Sequence, residues 1–65
     1  MNNMYDVQQL LKRFGIIIYT GNRVGDLELM KIEARELFEN HLITAKDYAK
    51  IMVILQKEIR QSKKR

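Results

Sequence analysis

Apolar residues recur at spacings of three and four in three segments of this chain, and this spacing limits the fold more than any other feature. The periodicity places apolar side chains along one face of an α-helix, which must then pack against another element. Sixty-five residues make one domain at most, so the three helices must share one core. We therefore predict an all-α fold, a small three-helix bundle with a short extended connector between the first and second helices.

The first predicted helix runs from about Tyr5 to Phe14, and Gly15 suits the left-handed position that ends many helices. The segment Ile16 to Tyr19 is β-branched and too short for a helix, so we expect it to be extended. It either packs as a buried connector or pairs with the same segment of another chain. The expected apolar face of the helix consists of Val7, Leu10, Leu11 and Phe14.

The second predicted helix begins at Arg23 or Asp26, after a possible N-cap at Asn22, and ends near Asn40. Leu29 and Ile32 lie outside its apolar stripe and are expected to meet a third element or a second subunit. The stripe consists of Leu27, Met30, Ala34, Leu37 and His41, and the outer face carries Glu28, Glu33, Glu36 and Glu39.

The third predicted helix has the clearest start, because Thr44 at the N-cap and Asp47 three residues later form a pair like a capping box. The run from Ile51 to Leu55 is apolar around the whole helix, so the helix is either central or part of an oligomer contact. We assign residues 1–59 to the helical domain and residues 60–65 to a basic C-terminal tail. The expected core stripe is Ala45, Tyr48, Met52, Leu55 and Ile59, with Ile51 beside it.

Positive charge is concentrated at one end of the chain. Residues 1–56 hold equal numbers of basic and acidic residues, whereas residues 57–65 hold five Lys or Arg against Glu58 and supply the whole net charge of +4. A balanced body with a basic end is typical of a compact fold that presents cations to a polyanion.

The cations of the third helix form a single row if the helix persists, interrupted once by Val53. A rise of ~1.5 Å per residue makes this row ~27 Å long, so phosphates could run along it and release counterions. The competing interpretation is an ordinary solvated helix face. The basic row consists of Lys46, Lys50, Lys57, Arg60 and Lys64.

Four further residues are candidates for this surface. Lys12, Arg13 and Arg23 would extend it if the bundle brings them near the basic row. Tyr19 is a candidate for stacking on a base, although a buried tyrosine with its hydroxyl at the rim is the competing interpretation.

The composition argues against several other classes of protein. Without cysteine there is no disulfide or thiolate zinc site, and the single histidine, His41, cannot build a metal site, so we expect no cofactor. No nucleophile, base and orienting group can be assembled, so we do not expect an enzyme. The apolar runs fall far short of the ~20 residues that cross a bilayer, and the start lacks an apolar signal core. We expect a cytoplasmic protein without a membrane span.

The chain resembles the YqgQ family of small bacterial proteins over nearly its full length. The resemblance rests on the block Tyr5 to Lys12, on Gly15, on Tyr19-x-Gly21-x-Arg23, on Leu37, on Asn40-His41-x-Ile43 and on Leu55-x-x-Glu58. It implies a three-helix bundle that binds single-stranded nucleic acid, and it implies no catalytic residues.

We therefore expect a small nucleic-acid-binding protein that favours single-stranded DNA or RNA without sequence specificity. The alternative is a protein-interaction or self-associating module, with Leu29, Ile32, Val53 and Ile54 in the contact between copies. An anionic membrane surface is a third, weaker option, because the apolar face of the third helix is needed for the core.

Overall fold

A computed structural model of the chain describes residues 1–64, which form three α-helices: α1 (Met4–Arg13), α2 (Arg23–Glu39) and α3 (Ala45–Lys63). Within these residues no strand is formed, so the predicted all-α three-helix bundle is confirmed. Each helix starts and ends within about a residue of a predicted boundary, except that α3 runs on into the predicted tail.

Each helix begins with a side chain that accepts a hydrogen bond from a backbone amide of the first turn. Asn22 accepts from the amide of Gly25 at 2.8 Å, and Thr44 accepts from the amide of Asp47 at 3.1 Å, as the sequence predicts. Asn3 caps α1 in the same way. These bonds satisfy amides that would otherwise lack a partner at the helix start.

The first helix ends in the hydrogen-bond pattern of a Schellman motif. Gly15 has a φ of 77°, and its amide donates to the carbonyl of Lys12 at 2.9 Å. The amide of Ile16 donates to the carbonyl of Leu11 at 3.0 Å. The left-handed residue is the predicted glycine, for which a positive φ carries no steric cost.

The second helix ends in the same motif, but with a histidine in the left-handed position. His41 has a φ of 60°, and its amide donates to the carbonyl of Phe38 at 3.0 Å. The amide of Leu42 donates to the carbonyl of Leu37 at 2.8 Å. The prediction that His41 continues the apolar stripe of α2 is therefore wrong, because the helix has already turned and the residue is exposed.

The core lies between the three helices, with α3 packed against both α2 and α1 and with α2 as its main partner. This packing shows which residues of the apolar run in the middle of α3 face the core. Ile51 and Leu55 are buried, whereas Val53 is 69% exposed on the opposite side of the helix. The buried apolar residues are Val7, Leu10, Leu11, Leu27, Met30, Ala34, Leu37, Ile51, Leu55 and Ile59.

Two residues assigned to the core by periodicity lie at its edge. Phe14 is 40% exposed, because it caps α1 at the point where the chain turns away from the bundle. Ala45 is exposed at the first residue of α3, and Ile51 takes the central buried place instead. In both cases the predicted apolar stripe includes a residue at a helix terminus, where the neighbouring helices no longer cover it.

The connector packs on the core of its own chain. Ile16 and Ile18 are half-buried against the core, whereas Ile17 and Tyr19 are exposed, so burial alternates as it does in an extended segment. The C-terminal end of the connector is held by Asp26, which is only 6% exposed. Its Oδ1 accepts hydrogen bonds from both the amide and the hydroxyl of Thr20. Packing on the core of its own chain, one of the two options left open by the sequence, is therefore present at Ile16 and Ile18.

Candidate nucleic-acid interface

The five cations of the basic row are all exposed, and they lie on the side of α3 that faces away from the core. With about 100° of rotation per residue, the row occupies an arc of about 80° opposite Leu55. The buried stripe of Ile51, Leu55 and Ile59 fixes the rotation of α3 about its axis, so the basic row faces solvent.

The basic row has no acidic partner among residues 1–64. The ion pairs there join Arg23 to Glu58 at 3.2 Å and Arg35 to Glu39 at 3.6 Å, and neither includes a member of the row. The two acids of α3, Asp47 and Glu58, lie about 100° or more around the helix from the middle of the row. The charges of the row are therefore available to an external anion.

The helix extends far enough to carry most of the row on a regular backbone. Residues 60–63, which the sequence assigned to a tail, are helical, so Arg60 stands one helical turn after Lys57. Lys64 occupies the C-cap position of α3, and Arg65 lies outside the described residues.

The middle of the row is partly apolar and lies beside the start of the chain. Met1 and Asn2 line a shallow depression together with Lys50, Val53 and Ile54. Ile54 is half-buried there against the core, whereas Val53 remains the exposed apolar residue of the row. Of these two predicted oligomer contacts, the structure leaves Val53 the more accessible.

The three additional cations are not part of the same row. Arg23 pairs with Glu58, about 100° around α3 from Lys57, so its charge is partly compensated. Lys12 lines a pocket formed by α1, the connector and α2, away from α3. Arg13 lies near Asp47 at the start of α3. Arg13 and Arg23 therefore lie along the flank of α3 that carries Asp47 and Glu58, and Lys12 lies on α1 beside the connector.

The aromatic residues divide into packed and free rings. Phe38 and Tyr48 stack on each other with centroids 4.7 Å apart and an interplanar angle of 4°, so they are engaged in the fold. Tyr19 is 86% exposed, which rules out the interpretation of a buried ring and leaves it accessible for stacking. Tyr5 is also exposed, and sequence reasoning missed it as a free aromatic although it falls outside the apolar face of α1.

Within residues 1–64, no helix is both long enough and apolar enough to span a membrane. A model of the YqgQ-like family matches residues 1–61. The chain is also 48% identical over 63 residues to a Bacillus subtilis (strain 168) protein named uncharacterized protein YqgQ, and the match covers 97% of this chain and 89% of that protein. The family match includes α1, α2 and α3 as far as Gln61, and with them every member of the basic row except Lys64.

Proposed function

This chain belongs to the YqgQ-like family, and we propose that it binds nucleic acid through the basic row of α3, with a preference for single strands and none for sequence. The proposal rests on one observation. The five cations of the basic row are exposed on one helix face and have no acidic partner among residues 1–64. Cations so placed replace counterions along a phosphate backbone, and the released ions drive binding.

The lack of sequence preference follows from the side chains in the row. Lys and Arg reach phosphates, and the single interruption, Val53, has no hydrogen-bonding group that could read a base edge. Phe38 and Tyr48 stack on each other, and a base stacked on the exposed Tyr19 would not be distinguished from another base, because every base has a π-face. The contacts of the row are therefore with the backbone of the nucleic acid.

The preference for single strands follows from the shape of the row. Successive members are three or four residues, or about 5–6 Å, apart on one convex helix face, except that Lys50 and Lys57 are about 10.5 Å apart across Val53. A flexible single strand can follow such a line with consecutive phosphates, whereas a rigid duplex would touch it at fewer points. Binding to a phosphate backbone requires no catalytic group, so we propose a binding protein rather than an enzyme. We propose a cytoplasmic location for it, because bacterial nucleic acids are found there.

A fluorescence titration with a labelled single-stranded oligonucleotide at two ionic strengths tests the proposal. We expect contact with about four phosphates, which gives a slope of log affinity against log salt near −3. The matching duplex should bind more weakly at the same salt. Replacing three members of the row, Lys50→Gln, Lys57→Gln and Arg60→Gln, should reduce the slope to about −1, because about three phosphate contacts are lost.

A matched control removes the same charge from elsewhere on the molecule. Lys31→Gln, Arg35→Gln and Lys63→Gln all lie outside the row and should leave the slope near its original value. Equal losses in the two triple variants would show that net charge alone drives binding. The absence of binding, or an affinity that salt does not change, would contradict the proposal outright.

A further inference from the structure

The outer face of α2 carries an acidic row that mirrors the basic row of α3. Ile32 lies at its centre and is 57% exposed, and Leu29 is exposed beside it. Carboxylates stand before and after these apolar residues, at Glu28 on one side and at Glu36 and Glu39 on the other. The acidic row consists of Glu28, Leu29, Ile32, Glu36 and Glu39, all of them exposed.

The spacing of the two rows is complementary around their apolar centres. Glu36 and Glu39 follow Ile32 by four and seven residues, and Lys50 and Lys46 precede Val53 by three and seven. In the other direction Glu28 precedes Ile32 by four residues, and Lys57 follows Val53 by four. With Ile32 against Val53 in an antiparallel crossing, Glu36 faces Lys50 and Glu28 faces Lys57. Glu39 faces Lys46, and it also pairs with Arg35 of its own helix at 3.6 Å.

We propose that the acidic row of one copy of this chain docks on the basic row of α3 in a second copy, with the two helices antiparallel. Charge complementarity selects this partner, because pairing two acidic rows or two basic rows would place like charges together. The antiparallel direction is favoured by the helix dipoles. Ile32, Leu29 and Val53, which the fold leaves exposed, are then covered by one another.

The geometry of the fold makes this contact heterologous. The helices α2 and α3 pack on each other through their buried stripes, so the acidic and basic rows point away from the shared core on different sides. One copy can then engage two neighbours, one through each row, and the assembly grows with concentration instead of stopping at a two-fold dimer.

The association should be weak, since one helix face covers less than the ~1,200 Å² of a stable interface. Sedimentation velocity of nucleic-acid-free protein at low salt should show a weight-average mass that rises above the 7.8 kDa of one chain as the concentration approaches ~1 mM. About 0.5 M salt should return the protein to single chains, because exposed charges are then screened.

Charge reversal identifies the surfaces involved. Glu36→Lys and Lys50→Glu should each remain single chains when alone, and an equimolar mixture of the two should associate again, because opposite charges face each other at every contact. Glu33→Lys makes the same charge change on a half-buried residue of α2 outside the acidic row and should associate like the unaltered protein. Circular dichroism of each variant verifies that the bundle is intact.

Several results would overturn the proposal: single chains at every concentration, a mass that stops at two chains, association that survives both reversals, or a mixture that stays unassociated. Rescue of Glu36→Lys by Lys57→Glu but not by Lys50→Glu would contradict the antiparallel docking. None of these measurements involves nucleic acid, so they can fail or succeed independently of the oligonucleotide titration. The acidic row of the second copy would compete with nucleic acid for the basic row of α3. This consequence rests on the proposed function.

Discussion

At the scale of single residues, His41 shows that the local backbone conformation can override a periodic pattern of apolar residues. Its spacing from Leu37 and Ala34 continues the buried stripe of α2, but its φ of 60° ends the helix and turns the side chain out. The left-handed position that closes α1 is occupied by Gly15, which is recognisable in the sequence. In α2 no glycine marks the left-handed position, so the sequence predicts the end of the helix near Asn40 but assigns His41 to the apolar stripe.

Replacing His41 by glycine should therefore stabilise the protein. A side chain in the left-handed region costs about 1–2 kcal/mol, and part of this gain is offset because glycine is more flexible in the unfolded chain. We expect the free energy of unfolding in urea to rise by about 0.5–1 kcal/mol. His41→Ala, which removes the imidazole but keeps a Cβ, is the control and should give no gain. Equal stabilisation by both variants would show that the side chain, not the backbone, is strained.

At the scale of elements, the connector is held by a residue whose role the sequence did not reveal. Asp26 was considered only as a helix start, yet its buried carboxylate reaches back to both donors of Thr20. A carboxylate in the first turn of a helix is also favoured by the helix dipole. The bond spans six residues, so it ties the end of the connector to α2 and sets where the extended segment leaves the core.

Asp26→Ala should loosen this junction. It removes the acceptor for the amide of Thr20, and we expect a loss of about 1–3 kcal/mol in the free energy of unfolding. Hydrogen exchange should accelerate at the amide of Thr20 more than at amides in the middle of α3. Asp26→Asn keeps a side-chain oxygen and should recover most of the stability. If exchange at Thr20 is the same in the alanine variant as in the unaltered protein, the bond does not hold the connector.

The elements themselves could be predicted from the sequence because each carries redundant local signals. In α3, Thr44 and Asp47 mark the start, and the spacing of Leu55 and Ile59 marks the buried face. The apolar run from Ile51 to Leu55 is compatible with several rotations of the helix, so it does not by itself indicate the centre of the buried face. Only the packing of α1 and α2 against α3 settles that rotation, and with it the outward direction of the basic row.

At the scale of the whole molecule, the core and the basic row depend on each other. An isolated helix of 19 residues is marginal in water, so the straight line of cations exists because α3 is packed on the other two helices. The positions of Lys12, Arg13 and Arg23 relative to the row are also decided at this scale. Nothing in their local sequence indicates where they lie relative to the row, since their positions result from how the helices are arranged.

Leu55 and Val53 provide a test of this dependence, because they are two residues apart on opposite sides of α3. Leu55 is fully buried, so Leu55→Ala should cost about 3–5 kcal/mol, a large share of the ~3–10 kcal/mol expected for a domain of this size. Val53→Ala should change the free energy of unfolding by no more than about 0.5 kcal/mol. Circular dichroism in urea measures both, and a parallel oligonucleotide titration should show that the affinity of Leu55→Ala falls in proportion to its unfolded fraction. Full affinity in a sample that circular dichroism shows to be mostly unfolded would mean that binding requires the charges but not the helix that aligns them.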